Sequence, residues 1–185
     1  MQDALSLIFS HTPAPVTQLL DVASSGSVLR GCILAEDVHS ARRIPFSHTT
    51  NVDGYAVRAA DGQGTYQVWT SAKNPLPVTL PSGVIYRVNT GGPIPDGADA
   101  VVMVEDTEVV EAQVQDGKED EKFVRILADV KIGENVRKPG SDVEVGDLVL
   151  SAGSLISDFG GELGTLHFVG HTKVSFVFAG NSGNC

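Results

Sequence analysis

The sequence predicts an α+β, β-rich fold: a discontinuous N-terminal linker subdomain of helices and β-hairpins enclosing a compact, mostly β subdomain. Three observations carry that prediction. Helical periodicity is confined to the ends of the chain, at 2–10 and 157–170. Between them lie short period-2 segments separated by Gly, Pro and Asp turns, the pattern of strands and hairpins. The core must be aliphatic, because 42% of the residues are hydrophobic yet only 7 are Phe, 3 Tyr and 1 Trp.

Taken in order, Ala4, Leu5, Ile8 and Phe9 share one helical face, and Asp3 occupies the first turn, where the helix dipole favours an anion. That helix ends before Pro13 and Pro15. Leu19, Leu20 and Val22 open a second apolar segment. The run 28-VLRGCILA-35 reads either as a strand or as a short helix, leaving through Glu36-Asp37-Val38 as a strand. From 44 onward no helical period exists. The segments 55-YAVRA-59 and 65-TYQVWTSA-72 alternate as strands, and 76-LPVTLPSGVIYRV-88 reads as two strands broken at Pro81-Ser82-Gly83. Gly91 to Pro95 is a turn, and 100-AVVMV-104 a buried strand. Strands 110-VEAQV-114 and 122-KFVRIL-127 flank a charged hairpin tip, 115-QDGKEDE-121, with Asp-Gly in it. The units 132-IGENVRKPGSD-142 and 145-VGDLVLSAGSLI-156 read turn-strand-turn-strand. A helix follows over 157–170 with Ser157 as its N-cap, weakened by Gly160, Gly161 and Gly164, and 171-HTKVSFVFA-179 is a last strand. Residues 1–47 and 128–172 are expected to form the discontinuous first subdomain, and 48–127 the β-rich second.

Composition excludes several function classes. Thirteen Lys and Arg against 23 Asp and Glu give a net charge of −10, unsuited to nucleic acid, whose phosphates need a basic surface. An anionic small-molecule substrate would need a local cluster of cations or backbone N–H groups. No apolar run reaches the length of about 18 residues that spans a membrane. The start, MQDALSLIF, lacks a basic region followed by a long apolar one, so a cytoplasmic protein without signal peptide is expected. Cys32 and Cys185 match no metal spacing; Cys32, in an apolar run, reads as a buried thiol in a reducing compartment. The histidines show no metal-ligand spacing, and no metal site is assigned.

Three motifs can carry chemistry, each with a structural alternative. Asp53-Gly54 is either a strand-initiating turn or a carboxylate held on a loop for a metal ion or a substrate hydroxyl. In 89-NTGGPIPDGADA-100, Thr90 offers a hydroxyl, and Gly91-Gly92 would let a ligand approach bare backbone N–H groups, a nest that suits anions. Pro93 and Pro95 stiffen that loop; the alternative is a rigid turn pair. In 135-NVRKPGSD-142, Arg137 is either an oxyanion clamp or part of a solvated hairpin that ends in Asp142.

The order of four runs, LAEDVHSARRIPF, NVDGYAVRAADG, VNTGGPIPDGADAVVMVED and GENVRKPGSDVEVGDLVLSAGSLI, resembles the molybdenum-cofactor insertase family, meaning bacterial MoeA and the E domain of gephyrin and plant insertases. The resemblance covers roughly residues 3–175. It implies a molybdopterin molybdotransferase that inserts molybdate into adenylylated molybdopterin and releases AMP, assisted by a divalent cation such as Mg2+. It also implies an elongated homodimer whose cleft joins the second subdomain of one chain to the third and fourth of the other. By motif, Asp53, Thr90 and Asp142 match the family's catalytic positions, and Tyr55, Gly91, Gly92, Pro93 and Arg137 are assigned to substrate binding. Residues 173–185 would be the start of a third subdomain that the sequence does not continue, so the chain alone is expected to be inactive. The other implied role is a non-catalytic dimerisation or scaffold module of a gephyrin-like protein. The chain departs from the family pattern at Thr50-Asn51-Val52, where Ser-x-Met/Lys is usual, and in the extra glycine of 157-SDFGGELGTL-166.

Overall fold

A computed structural model describes residues 2–12, 15–26, 28–115, 118–157 and 160–178. They form two compact units, one of residues 1–44 with 142–185 and the other of residues 45–141.

The first part of the chain opens with α1 (Gln2–His11), then β1 (Val16–Asp21) and the two-residue strands β2 (Ile33–Leu34) and β3 (Val38–His39). The run 28–35 is thus a turn feeding a very short strand, because Gly31 at φ +85° breaks any longer element. Pro13 and the side chain of Phe9 lie outside the described residues.

The middle unit carries most of the strand content. It contains β4 (Thr49–Thr50), β5 (Gly54–Val57), β6 (Gly64–Trp69), β7 (Val84–Val88), β8 (Ala100–Met103), β9 (Thr107–Gln115), β10 (Lys118–Ile126) and β11 (Val136–Arg137). Six of these make one sheet in the order β8-β5-β7-β6-β10-β9. All its pairs are antiparallel except β6–β7, which is parallel and needs the long 70–83 crossover. Alternation places Tyr55, Val57, Val68, Ile85, Val102 and Val124 in one core, while Ala56, Tyr86, Val88 and Val101 pack with Leu80 in a second on the other face. The hydroxyl of Tyr55 on β5 donates to Glu121 of β10 at 2.8 Å, although β7 and β6 lie between those strands.

Three expectations change here. Residues 76–80 make no strand but a single bridge, Thr79 to Asp96; Pro75 and Pro77 have no N–H to give to a ladder. The charged run 115–121 is no wide hairpin tip: β9 and β10 pair from Gln115–Lys118 down to Thr107–Ile126, so Glu119, Asp120 and Glu121 are strand residues with a bulge beside them. Asp116 and Gly117 lie outside the described residues. Residues 131–137 belong with the middle unit rather than the first, since Val101 N–H donates to Glu134 O, Gly133 N–H to Asp99 O, and β11 pairs β4.

The chain then returns to the first unit with β12 (Leu148–Leu150), α2 (Glu162–Phe168) and β13 (Lys173–Phe178). β13 lies between β1 and β2 in an antiparallel sheet, and β12 pairs β3. The core there is Val22, Leu29, Leu34, Val38, Ile156, Leu166, Val174 and Phe176. Residues 173–178, expected to begin a third subdomain, therefore complete the sheet of the first unit. Helix α2 starts four residues later than the sequence suggests: Gly161 is its N-cap, and Ser157 instead donates its hydroxyl to the Glu162 carboxylate at 3.1 Å. Cys32 is fully buried, as its apolar run predicts, but it is not a free thiol, which corrects that expectation; Cys185 lies outside the described residues. Among the described residues no helix is long and apolar enough to cross a membrane.

Candidate functional site

Strand register builds the site. Gly54 pairs with Val88 in the antiparallel β5–β7 ladder, so the residue before Gly54 lies beside those that follow Val88. Asp53 and Thr90 meet there. Thr90 donates both its backbone N–H, at 2.7 Å, and its hydroxyl, at 3.1 Å, to Oδ1 of Asp53. Both residues are exposed. Among the described residues Oδ2 of Asp53 accepts no hydrogen bond and is available to a ligand.

Thr90 holds the Asp53 carboxyl below its ordinary range, first through the backbone N–H and then through the hydroxyl, with Arg87 adding attraction. A carboxylate depressed in the folded state contributes stability that is full above its unfolded pKa and is lost as pH falls through the folded value. NMR titration should therefore find the Asp53 midpoint below that of an ordinary aspartate. Thr90→Ala, which keeps the dominant backbone donor, should return it only part of the way; full return would contradict this geometry.

The loop after Thr90 is built differently from the expected nest. Gly91 N–H donates to Thr50 O and Gly92 N–H to Asn89 O, both at 2.8 Å. With Thr90 N–H on Asp53 and no N–H on Pro93, the loop presents no free backbone donors to an anion. The glycines serve the turn: Gly91 has φ +78°, and a Cβ on Gly92 would lie 2.8 Å from Asn89 O. Pro93 bridges Thr49, whose other neighbour is Arg137 on β11, so Arg137 and Pro93 flank Thr49. Arg137 is half-buried.

Tyr55 cannot be a substrate contact as it stands. Its side chain is fully buried, and its hydroxyl donates to Glu121. Burial and then the adjacent Glu121 carboxylate push its pKa upward. Arg87 lies 5.1 Å above the ring, donates to Gly54 O at 3.2 Å, and sits 4.0 Å from Glu121. Tyr55→Phe should cost about 1.5–3 kcal/mol in urea unfolding, the range for a hydrogen bond to a charged group. A change within about 0.5 kcal/mol, the scale of a neutral surface substitution, would contradict that role.

Arg87 and Glu121 were not among the sequence candidates. The signal was present: Arg87 interrupts the apolar run GVIYRV, and Glu121 sits in the charged run assigned to a solvated tip. Asp142 belongs to the first unit, where it is exposed and its N–H donates to Ile44 O at 2.9 Å. The middle unit thus brings together Asp53, Thr90 and Arg87, a fixed carboxylate with a hydroxyl and a guanidinium nearby.

A family model described as the MoeA N-terminal region, domains I and II, matches residues 1–170. The chain is 31% identical over 162 residues to the molybdopterin molybdenumtransferase of Haemophilus influenzae, covering 85% of this chain and 37% of that protein. It is 34% identical over 143 residues to gephyrin of Dictyostelium discoideum, covering 68% of this chain and 19% of that one. The molybdopterin biosynthesis MoeA protein of Pyrococcus horikoshii superposes with a TM-score of 0.69 at 27% identity, over 95% of this chain and 43% of that structure. The chain thus spans well under half the length of these relatives.

Proposed function

The chain belongs to the family of MoeA N-terminal regions, and on that premise we propose that it supplies the Asp53–Thr90 face of a molybdopterin molybdotransferase site. The reaction is insertion of molybdate into adenylylated molybdopterin with release of AMP, completed by protein segments that the curated relatives carry beyond the matched region. The observation that supports it most is the double hydrogen bond from Thr90 to Asp53, which fixes one carboxylate oxygen and leaves the other open. A fixed carboxylate of depressed pKa stays ionised at neutral pH and can orient a substrate hydroxyl or amine.

Among the described residues no group of three or more His, Cys, Asp or Glu side chains converges as a metal cage. Mg2+ usually binds through one or two carboxylates together with water and substrate phosphates, and Asp53 fits as such a single ligand. When bound, the cation would neutralise phosphate charge; Asp53 and Thr90 would orient the substrate.

We infer a cytoplasmic homodimer. Leu5, Leu7 and Ile8 on α1 and Leu19 on β1 are 52%, 64%, 59% and 60% exposed, an apolar surface of the kind that subunit interfaces cover. Light scattering should give twice the chain mass, and Leu7→Asp should return it to the monomer. A monomer at high concentration would remove the dimer from the account.

Calorimetric titration with adenylylated molybdopterin tests the reading. Binding should weaken at least tenfold in Thr90→Val, which removes the hydroxyl while keeping the shape. The similarity to gephyrin favours a second reading, a non-catalytic scaffold module. A dimer that binds no adenylylated molybdopterin would select it.

A further inference from the structure

We propose that the middle unit carries a second ligand site, a cleft on β6 and β10 that takes a planar heteroaromatic base of purine or pterin type. It uses none of the Asp53–Thr90 residues and does not depend on the reading given for them. The cleft measures about 520 Å3, within the size of small-molecule pockets.

Strand alternation creates its floor. Val68 is buried in the core with Tyr55, so Gln67 and Trp69 take the opposite face of β6. Phe123 of β10 pairs directly with Gln67 and therefore shares that face with Trp69. Trp69 is half-buried, and Phe123 is 40% exposed. Two aromatic side chains on one floor suit stacking with a flat ring, which binds any π-face and is worth about 1–3 kcal/mol per base.

A turn forms the wall. Lys73 N–H and Asn74 N–H both donate to Thr70 O, and Tyr86 donates its hydroxyl to Asn74 O at 2.9 Å. Lys73 and Lys122 both donate to Oδ2 of Asp120, Lys122 at 2.5 Å, which ties the turn to β10 beside the cleft. These ammonium groups depress the Asp120 carboxyl, Lys122 most strongly. Asp120 and Glu111 balance Lys73 and Lys122, so the cleft has no charge excess with which to select a phosphate.

The rim supplies specificity. The side-chain amides of Gln67, Asn74 and Gln113 make no hydrogen bond among the described residues. An amide presents a donor and an acceptor side by side, which matches the N–H and ring-nitrogen edge of a purine or pterin. Stacking floor, amide rim and neutral charge together describe a base site rather than an anion site.

Trp69 is the one tryptophan of the chain; it lines this cleft and packs against the second core, so its fluorescence reports on the cleft and the core beneath it. The purified chain is titrated separately with adenosine, with pterin and with ribose 5-phosphate. Saturable quenching by adenosine or by pterin is expected, and the stronger of the two identifies the ring. Gln67 and Gln113 are exposed strand residues, so the double variant Gln67→Ala/Gln113→Ala should fold and should bind about tenfold more weakly, as loss of two modest hydrogen bonds requires. Calorimetry on Trp69→Leu should show a loss of tenfold or more. The proposal is overturned if neither ring changes Trp69 emission at millimolar concentration. Binding unchanged in the double glutamine variant, or ribose 5-phosphate quenching as well as the bases, would overturn it equally.

Discussion

Gly54→Ala should destroy the folded middle unit. A Cβ at Gly54 would lie 1.9 Å from Val102 O and 2.9 Å from its carbonyl carbon. Those are backbone atoms of β8, which pairs with β5 across Gly54–Met103 and Tyr55–Val102, so no side-chain rotation relieves the contact. Every residue of β5 is buried, and the strand lies between β7 and β8. Displacing it would unseat Tyr55 from its core and separate Asp53 from Thr90. Overpacking a core typically costs about 1–3 kcal/mol, and an unyielding backbone contact belongs at or above the top of that range. Circular dichroism and urea unfolding should show a loss of at least about 3 kcal/mol. Gly164 is the control: it lies inside α2 with nothing within 4 Å of a Cβ, so Gly164→Ala should stabilise the chain by up to about 1 kcal/mol. Equal behaviour of the two variants would contradict the packing described for Gly54.

Asp53→Asn is the second large effect, and it falls on function. Asparagine keeps the shape and an oxygen to accept from Thr90, so the fold should persist. It removes the negative charge that the Thr90 donors hold in place. Loss of one preorganised electrostatic group typically lowers turnover about 100- to 1,000-fold. In a molybdotransferase that contains this chain, turnover should fall by at least about 100-fold while thermal stability changes little. A comparable loss of stability would assign Asp53 to folding instead.

The sequence singled out Asp53 and Thr90 one by one, because each sits in local turn chemistry, an Asp-Gly start to a strand and a Thr-Gly-Gly-Pro exit from one; that they meet is visible only in the structure. The strands at 54–57, 64–69, 84–88 and 100–103 were legible for a similar reason, since alternation and β-branched residues are local signals. What stayed hidden depends on partners far along the chain. Gly91 looks like an exposed N–H group until Thr50 O, 41 residues earlier, is placed beside it. Tyr55 looks like part of a site motif, yet it is fully buried and its hydroxyl is taken by Glu121, 66 residues further on. The two-residue strands β4 and β11 carry no period of their own and exist because they pair with each other. The parallel β6–β7 pair follows from a 70–83 crossover that has no helical signal.

Whether this chain supplies the Asp53–Thr90 face of a molybdotransferase site is directly measurable. The most direct measurement is molybdate-dependent AMP release by a chimera in which residues 1–170 of this chain replace the matching region of the Haemophilus influenzae molybdopterin molybdenumtransferase. The chimera should release AMP from adenylylated molybdopterin, and its Asp53→Asn form should not. A chimera that is folded by circular dichroism but releases no AMP, or one in which Asp53→Asn releases it at the unaltered rate, would contradict the claim.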